Sequence, residues 1–330
     1  MRFLLTLLSL VYLIALAWHL GQIALGVEPV GWLGLVRELT LYLFLPAPVL
    51  LFLAVLARAR AAIVFSLIPI VVLIAIYEPR FVPRAPSAPT GPTFRVMTFN
   101  AGAGAGGGDP QPVLAAIQSV QADVVALQEV PPQTRQIVGT AIEARYPYHV
   151  STPDVVTFSV YPLSDATDVH LPEASYTSQS VDILVDDRLI HLTNVHLLRT
   201  GPQIIGRRSV AAFMRNYQPG LIESQVSDLV DRHILPVSGS QLLTGDFNQT
   251  DWSRSYDRLA SVLDDSFREA GRGFGHTYPS NIGFSRTEVS IPLVRIDYIF
   301  HSADLRAVTA RVGPDGGSDH LPVVADFAFR

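Results

Sequence analysis

The chain has 330 residues, of which 49% are hydrophobic and only 16% charged, and its net charge is −5. Globular proteins carry about 25% charged residues, and the deficit here is confined to the first 78 residues, which hold seven charged side chains. A single soluble globule and a wholly buried membrane protein are therefore both excluded. The absence of cysteine excludes a disulfide scaffold, a thiol nucleophile and a cysteine-ligated metal site.

Three long apolar runs dominate the N-terminal part of the chain, at Phe3–Gly26, Leu39–Leu56 and Ala61–Tyr77. Each approaches or exceeds the roughly 18–20 residues that a helix needs to cross about 30 Å of hydrocarbon. The sequence therefore predicts three transmembrane helices. The alternatives are a cleavable signal peptide for the first run and buried core helices for the other two.

Arginines beside these runs indicate how the protein is oriented. Arg58 and Arg60 occupy the short turn between the second and third runs, which is a favourable place for a cytoplasmic loop. We therefore expect a multi-pass protein of the cell membrane, with its N-terminus inside and its soluble domain extracytoplasmic. The two sides of the membrane carry equal numbers of these arginines. Arg2, Arg58 and Arg60 lie on the predicted inner side, and Arg37, Arg80 and Arg84 lie on the predicted outer side.

The composition divides the chain into three parts. Residues 1–82 form the predicted anchor, and the proline-rich residues 83–92 form a semi-rigid linker. Residues 93–330 form one soluble domain, which is large enough to bury a complete core. Residues 79–330 together hold 20 arginines and 26 acidic residues, which gives them a net charge of −6.

The soluble domain begins with a strand at Phe94–Phe99, an amphipathic helix at Pro112–Val120 and an apolar strand at Asp123–Leu127. A long helical stretch is predicted at about Arg207–His233. Further strands are predicted on both sides of it, at Val155–Ser159, Ser180–Val185, Leu189–His196, Gln241–Thr244, Val294–Phe300 and Val323–Ala328. Many strands with few helices indicate a mixed α+β sandwich.

Carboxylate, amide and imidazole groups stand at the ends of these apolar strands, where an enzyme built on a buried sheet presents groups to a pocket. They are Asn100, Glu129, His196, Asp246, Asn248, Asp297, Asp319 and His320. Each also has a structural interpretation. Asn100 and Asp246 suit turns, Glu129 suits a helix cap, Asp297 suits an ion pair with Arg295, and Asp319 and His320 suit a surface loop.

Two other patterns are weaker. His191 and His196 are five residues apart on one strand, so they point to opposite faces and do not form a joint metal site. The run Gly102–Gly108 lacks the lysine ending of a P-loop and the spacing of a dinucleotide fingerprint. It is interpreted as a flexible loop at the rim of a pocket.

Taken together and in order, six segments resemble the endonuclease/exonuclease/phosphatase superfamily, which has the DNase I-like fold. They span residues 94–328 almost completely. The resemblance implies a four-layer α/β/β/α sandwich, with the catalytic site at one edge of the two sheets. The segments are Met97-Thr98-Phe99-Asn100, Leu127-Gln128-Glu129-Val130, Asn194-Val195-His196-Leu197, Thr244-Gly245-Asp246-Phe247-Asn248, Arg295-Ile296-Asp297-Tyr298-Ile299-Phe300 and Ser318-Asp319-His320-Leu321-Pro322-Val323.

The resemblance also implies roles for these residues in a metal-dependent phosphoric ester hydrolase. Glu129 is the expected principal ligand of Mg²⁺, with Asn100 and Asp319 near the ion, and oxygen ligands allow Mn²⁺ or Ca²⁺ as substitutes. Asp246 is expected to orient or deprotonate the attacking water, and Asn248 to hold a phosphate oxygen. His320 is expected to pair with Asp297, acting as base or phosphate clamp, while His196 stabilises the transition state or protonates the leaving oxygen.

The sequence departs from the superfamily pattern at two positions. Many members carry a second acid two residues after the asparagine of the first strand, where this chain has Gly102. The usual Ser-Arg-Tyr-Pro segment is Ser159-Val160-Tyr161-Pro162, without its arginine. Both departures weaken the expectation of a nuclease-type grip on a nucleic-acid backbone.

Three substrate hypotheses follow. A nuclease would use clustered basic residues, and Arg199, Arg207 and Arg208 are candidates to bind a phosphate, but an acidic domain without lysine disfavours general nucleic-acid binding. The anchor favours a Mg²⁺-dependent hydrolase of phosphate esters or anhydrides at the surface of the lipid bilayer, with a lipid-linked phosphate or phospholipid headgroup as substrate. This organisation resembles bacterial membrane-bound members of the superfamily. A non-enzymatic interaction module is the third hypothesis, and the complete catalytic set argues against it.

Overall fold

The computed structural model of the protein describes residues 1–27, 32–81, 91–102, 109–174, 176–199, 217–280 and 291–330. Several sequence predictions lie outside these ranges, namely most of the linker 83–92, most of the glycine run and the candidates Arg207 and Arg208. The bounds of the linker therefore stay predictions. The chain forms two compact units, and the first contains the N-terminal helices together with residues 217–219 and 252–254.

The first unit is helical. Its elements are α1 (Arg2–Ala24), α2 (Trp32–Glu38), a 3₁₀ helix (Thr40–Phe44), α3 (Pro46–Leu56), α4 (Arg60–Tyr77) and a second 3₁₀ turn (Glu78–Arg80). Small residues at the contacts of α1, α3 and α4 allow close packing, with Ala54, Ala57, Ala59 and Ala62 all buried.

The prediction of three transmembrane helices is corrected. Among the described residues, two helices are long and apolar enough to cross a membrane, Arg2–Ala24 and Arg60–Arg80. The middle run divides before Pro46 into a 3₁₀ helix and an α-helix of 11 residues. Proline favours the first turn of a helix because it has no N–H to donate, and 11 residues rise only about 17 Å. That length is too short for the hydrocarbon core.

Hydrogen bonds fix the directions of these helices. The Arg2 Nε donates to the Ala57 carbonyl at 2.8 Å, and the Ser66 hydroxyl donates to that of Ser9 at 3.2 Å. Helices α1 and α4 therefore run in the same direction. The 3₁₀ helix and α3 return between them, and Tyr12 donates to the Leu43 carbonyl at 2.9 Å.

At the other end of the first unit lies a group of aromatic and basic side chains. The Trp252 indole N–H donates to the Tyr77 hydroxyl at 2.9 Å, and the Arg37 Nε donates to the Trp252 carbonyl at 2.5 Å. The Arg80 guanidinium lies 4.3 Å from the centre of the Tyr77 ring. Such groups are typical of the end of a helix that enters a membrane interface.

The second unit contains two six-stranded mixed sheets, with strand orders β11-β12-β1-β2-β4-β3 and β5-β6-β7-β8-β10-β9. The strands are β1 (Thr93–Asn100), β2 (Val124–Gln128), β3 (Tyr148–Ser151), β4 (Val155–Ser159), β5 (Leu163–Val169), β6 (Ser178–Val185), β7 (Arg188–His196), β8 (Ser240–Asp246), β9 (Asp264–Asp265), β10 (Asp297–His301), β11 (Leu305–Val312) and β12 (Val323–Phe329).

Most helices of this unit form the outer layers, whereas the last one, which carries Phe267, packs against β11 at the core between the sheets. The helices are α5 (Gln111–Val120), α6 (Pro132–Ile142), α7 (Pro219–Leu229), α8 (Arg254–Ala260) and α9 (Ser266–Ala270), with a π-helical turn at Val230–Ile234. One core lies between the sheets, a second packs the first sheet on α5 and α6, and a third packs the other sheet on α7 and α8. The unit is therefore an α/β/β/α sandwich, as the resemblance implied.

Alternation along β1 explains how one strand serves two cores. Phe94 and Val96 face the core between the sheets, and Met97 and Phe99 face the helices. The predicted strands are present to within three residues at their ends. Strands β3, β5, β9 and β11 were not predicted. β3 and β5 are largely exposed, β9 consists of two aspartates, and all four carry polar residues, so they lack a continuous apolar run.

Candidate active site

The topology brings the predicted strand-end residues to one edge of the sandwich. β1 and β2 are parallel and end side by side at Asn100 and Gln128, and β7 and β8 are parallel and end at His196 and Asp246. In β10, which is antiparallel to β8, Asp297 lies opposite Asp246. Ligands bind outside the carboxyl ends of parallel strands in many α/β proteins, and these polar side chains make that edge the candidate active site.

Glu129, His196 and Asp246 form the first group of ionisable side chains, with ligand atoms within 4.8 Å of one another. The His196 Nε2 lies 3.1 Å from the Glu129 Oε1 and 3.8 Å from the Asp246 Oδ2. The Asn100 amide joins the two acids, since its Nδ2 donates to Asp246 at 2.9 Å and to Glu129 at 3.2 Å. The predicted site residues from four different strands therefore meet here.

The environment of Glu129 keeps its carboxyl group ionised. Burial raises the pKa of this group, but the hydrogen bond and charge of His196 and the amide of Asn100 lower it to about 2. Its backbone has a φ of +55°, which turns the chain sharply at the end of β2. Glu129 does not cap the next helix, whose N-cap is Pro131 without a side-chain hydrogen bond.

Asp246, Asp297 and His320 form the second group, also with ligand atoms within 4.8 Å of one another. The His320 Nδ1 lies 3.0 Å from the Asp297 Oδ2, and its Nε2 lies 3.7 Å from the Asp246 Oδ2. The predicted pairing of His320 with Asp297 is confirmed. Burial lowers the pKa of His320, but the charges of Asp297 and Asp246 raise it to about 9, so the ring is positively charged at neutral pH.

Asp246 belongs to both groups and is as enclosed as Asp297. It is 1% exposed, and burial together with the nearby Asp297 raises its pKa. Its Oδ1 accepts from the Asn248 backbone N–H at 2.9 Å, which is the Asx turn that the sequence allowed. The Asn248 Nδ2 donates to the Leu197 carbonyl at 3.0 Å, so this side chain lies at the end of β7.

Arg199 is the candidate phosphate-binding arginine that the structure describes. Its Nη2 donates to the Tyr278 hydroxyl at 2.9 Å and lies 3.9 Å from the Asp319 Oδ2. Burial lowers the pKa of Arg199, but Tyr278, Asp246 and Asp319 raise it more. Asp319 therefore lies against Arg199 and outside the two groups of acids and imidazoles. Its predicted role as a metal ligand stays a prediction.

Two tyrosines of the site were missed by the sequence analysis. The Tyr176 ring stacks on His196 with centroids 3.9 Å apart, and the Tyr278 ring lies 4.8 Å from that of His320. Both tyrosines precede or interrupt strands in irregular segments, where no periodic pattern marks them. Their position near strands was the one clue to a place in the site. Tyr176 lies just before β6, and Tyr278 forms a β-bridge with Val294 ahead of β10.

The structure overturns one alternative interpretation and confirms one exclusion. Asp297 is not the ion-pair partner of Arg295, whose guanidinium binds Asp265 with contacts of 3.1 and 2.6 Å. His191 pairs with Asp182 at 2.8 Å, away from His196, as the alternation along β7 predicted. His196 and Asp297 therefore belong to the two ionisable groups, and His191 and Arg295 do not.

The donor set fits a hard divalent cation. Glu129 is ionised, Asn100 and Asp246 supply further oxygen atoms, and within the described ranges the Nδ1 of the buried His196 has no hydrogen-bond partner. Oxygen-rich sites of this kind suit Mg²⁺, Mn²⁺ or Ca²⁺. The arrangement can bind a phosphate group through the cation, Arg199 and the charged ring of His320.

Comparison with known proteins agrees with this chemistry. A model of the endonuclease/exonuclease/phosphatase family matches residues 97–320, which is most of the chain. These residues contain every member of the two ionisable groups. No curated protein matches the chain.

Solved structures share the fold at low sequence identity. An endonuclease/exonuclease/phosphatase from Beutenbergia cavernae is 21% identical, with 72% of each chain covered and a TM-score of 0.54. Truncated TDP2 from Caenorhabditis elegans is 16% identical over 72% of this chain and 98% of its own, with a TM-score of 0.54. A mannosyl-6-phosphatase from Bacteroides thetaiotaomicron is 19% identical over 72% and 100%, with a TM-score of 0.50.

Proposed function

The chain belongs to the endonuclease/exonuclease/phosphatase family and is a phosphoric ester hydrolase, and on that premise we propose that it hydrolyses a lipid-linked phosphate at a membrane surface with Mg²⁺. The observation that carries the proposal is the convergence of Glu129, His196 and Asp246 with the Asp297–His320 pair at one edge. The same chain carries two apolar helices of membrane-spanning length.

The chain's own residues supply the chemistry as follows. Asp246 is buried with a raised pKa, so it is placed to accept a proton from the attacking water. Asp297 fixes the ring of His320 through Nδ1, and the charged ring binds a phosphate oxygen. His196 stabilises the developing charge or protonates the leaving oxygen. Asn248 and Arg199 hold the remaining phosphate oxygens.

Glu129, with Asn100 and Asp246 beside it, would hold the cation. A divalent cation bound there would neutralise phosphate charge and polarise the phosphorus. The low pKa of Glu129, about 2, keeps the carboxylate available as a ligand throughout the neutral range. Asp319 is the further ligand that the family resemblance suggests.

The first unit supports an orientation with the catalytic domain outside. Because α1 and α4 run in the same direction, Arg2, Arg58 and Arg60 belong to the same end of this unit. Basic residues favour the cytoplasmic side, and the chain leaves α4 at the opposite end. A tether of this kind raises the effective concentration of lipid headgroups at the active site.

The acidic charge of the domain argues against nucleic acid as the main substrate. Residues 79–330 have a net charge of −6 and no lysine, whereas nucleic-acid binding relies on clustered basic residues. Among the described residues, Arg199 is the arginine beside the two ionisable groups. A membrane-tethered nuclease is therefore the alternative function, and the turnover experiment below distinguishes it from a lipid phosphate hydrolase.

The test is Mg²⁺-dependent turnover by the full-length protein in detergent. The substrates are a polyprenyl diphosphate, phospholipids and plasmid DNA, each with and without EDTA. Glu129→Ala removes the principal ligand, and Glu143→Ala is the matched control because Glu143 is exposed at the end of α6.

We expect phosphate or headgroup release from lipid that is lost in Glu129→Ala and kept in Glu143→Ala. Cleavage of DNA alone would overturn the lipid proposal and leave a tethered nuclease. Turnover that survives in both EDTA and Glu129→Ala would overturn the metal assignment.

A further inference from the structure

Two buried amide side chains join the two sheets beneath the candidate active site. Gln128 is the last residue of β2, in the sheet that contains β1, and Asn194 is the third-last residue of β7, in the other sheet. Both side chains are fully buried. The Gln128 Nε2 donates to the Asn194 Oδ1 at 2.7 Å, so this hydrogen bond crosses from one sheet to the other.

The alternation of side chains along β2 and β7 places both amides in the core between the sheets. Val124 and Leu192 belong to that core, and Gln128 and Asn194 follow them at an even spacing on the same two strands. Contacts between apolar side chains such as Val124 and Leu192 are not directional. Apolar packing alone therefore does not fix the position of one sheet along the other, whereas a hydrogen bond between the sheets does.

Further hydrogen bonds hold each amide in one orientation. The Gln128 Nε2 also donates to the Thr98 hydroxyl at 3.0 Å, on the neighbouring strand β1. The Asn194 Nδ2 lies 3.3 Å from the Val156 carbonyl and 3.4 Å from the Leu127 carbonyl, on the paired strands β4 and β2. The side chain of Asn194 thus reaches the backbone of the opposite sheet, and its rotation is restricted.

The amide pair adjoins the two site residues that meet across the sheets. Glu129 follows Gln128 directly, and His196 lies two residues after Asn194 on the same face of β7, a distance of about 6.6 Å along the strand. The His196 Nε2 lies 3.1 Å from the Glu129 Oε1. Because these two residues belong to different sheets, their separation depends on the relative position of the ends of β2 and β7, which the amide hydrogen bond fixes.

We propose that Gln128 and Asn194 are positioning residues, whose hydrogen bond holds Glu129 and His196 at the separation on which binding of the divalent cation depends. This inference rests on the proposed function, because it assigns the cation to Glu129. Metal sites require side chains held to within about 0.5 Å of the productive arrangement. Loss of a supporting hydrogen bond around a metal site costs about 10- to 100-fold in metal affinity or activity.

The test uses the full-length protein with single and combined replacements. Gln128→Met and Asn194→Leu each leave one buried amide without its partner, which lowers stability. The combined variant removes both polar groups and keeps the volume, so its melting temperature should return toward the wild-type value. Gln128→Asn is a milder variant, which keeps a polar amide but is one methylene group too short to reach Asn194.

The matched control combines Ser180→Ala with Thr193→Val. These hydroxyl groups are also buried and lie 3.1 Å apart, but both belong to the same sheet, on the paired strands β6 and β7. The control therefore removes a buried polar pair without changing a bond between the sheets.

The first readout is the Kd of Mn²⁺ for the protein without substrate, measured by electron paramagnetic resonance. Only the Mn²⁺ binding that Glu129→Ala abolishes is counted, so that the Kd belongs to this site. We expect the Kd to rise at least tenfold in Gln128→Asn and in the combined variant, and to stay unchanged in the control. Amides with a purely structural role would give a wild-type Kd in the combined variant once its melting temperature has recovered, and that result would overturn the inference.

The second readout is turnover of a polyprenyl diphosphate at saturating Mg²⁺. We expect kcat to fall at least tenfold in the combined variant, with little change in KM. A wild type that does not hydrolyse the lipid, together with the expected pattern of Mn²⁺ affinities, would contradict the proposed function alone. A wild type without Glu129-dependent Mn²⁺ binding would overturn both the metal assignment and this inference.

Discussion

The ring of Tyr176 lies nearly parallel to the ring of His196, with centroids 3.9 Å apart and planes inclined by 23°. His196 is 1% exposed, and neither ring nitrogen has a hydrogen bond of good geometry within the described part of the chain. Its orientation is therefore held mainly by this stacking. Tyr176 positions the imidazole toward Glu129, which lies 3.1 Å away.

Replacement of Tyr176 tests this relationship. Aromatic pairs contribute about 0.5–1.5 kcal/mol beyond the burial of their surface, so Tyr176→Leu should lower kcat by about 3- to 10-fold with little change in KM. Tyr176→Phe keeps the ring and should restore most of the rate. Leucine at the exposed Tyr148 is the control. Equal loss in the Phe and Leu variants would assign the effect to the hydroxyl group.

Asp246→Asn separates catalysis from stability. The buried carboxyl group has a raised pKa because burial and Asp297 disfavour its charge, and an amide removes that cost while keeping the shape. We expect kcat to fall by about 10² to 10⁴, the usual contribution of a general base, while the melting temperature stays equal or rises. Rates and thermal unfolding of the same preparation check both parts. A variant that loses stability along with activity would contradict this account.

Gly102 is the position at which many family members carry a second acid. A Cβ here would overlap the carboxylate and the β-carbon of Glu129, and the β-carbon cannot move as freely as the end of a flexible side chain. Gly102→Asp should therefore displace Glu129, lowering activity at least tenfold and raising the Mg²⁺ concentration needed for half-maximal rate. Gly220→Ala is the control, since nothing lies within 4 Å of its Cβ. Unchanged metal dependence would show that Glu129 is not displaced.

Arg295 supports the strand that carries Asp297. Its guanidinium is 2% exposed, binds Asp265 at 2.6 Å and lies over the Tyr298 ring at 4.5 Å. Because removal of one partner leaves a buried charge unpaired, Arg295→Met should destabilise the protein by about 3–5 kcal/mol. Denaturant unfolding of the full-length protein measures this. The exposed Arg232→Met should change stability by less than about 0.5 kcal/mol, and a similar small effect at Arg295 would contradict the prediction.

Glu269 makes the free energy of unfolding of the domain dependent on pH. Burial raises the pKa of this carboxyl group, but His301 at 2.8 Å, the Ala307 N–H and Arg330 lower it more. Because the folded pKa is depressed, the stabilisation is present above about pH 4.3, the usual Glu value, and is lost as pH falls through the folded value. Glu269→Gln should cost about 1–2 kcal/mol at pH 7.

The difference between Glu269→Gln and the wild type should shrink as the pH falls below about 4. Unfolding free energies measured at several pH values check this. A difference that is independent of pH would assign the loss to packing.

The catalytic residues were predictable because they lie at the ends of strands that the sequence marks clearly. Glu129, Asp246 and Asp297 each adjoin a buried apolar strand, and in the registers of β8 and β10 Asp246 faces Asp297. Tyr176 and Tyr278 lie in irregular segments, and their distances to His196 and His320 depend on how those segments cross the edge of the sheets. No local pattern determines that path.

The sequence by itself determined the strands with buried apolar runs and the residues at their ends, because these follow from local hydrophobicity and residue chemistry. Only the tertiary structure decided that Asp297 binds His320 while Arg295 binds Asp265. It also decided that the middle apolar run divides before Pro46. Partners of charged groups and the paths of short segments depend on contacts between residues distant in sequence, which composition and periodicity do not contain.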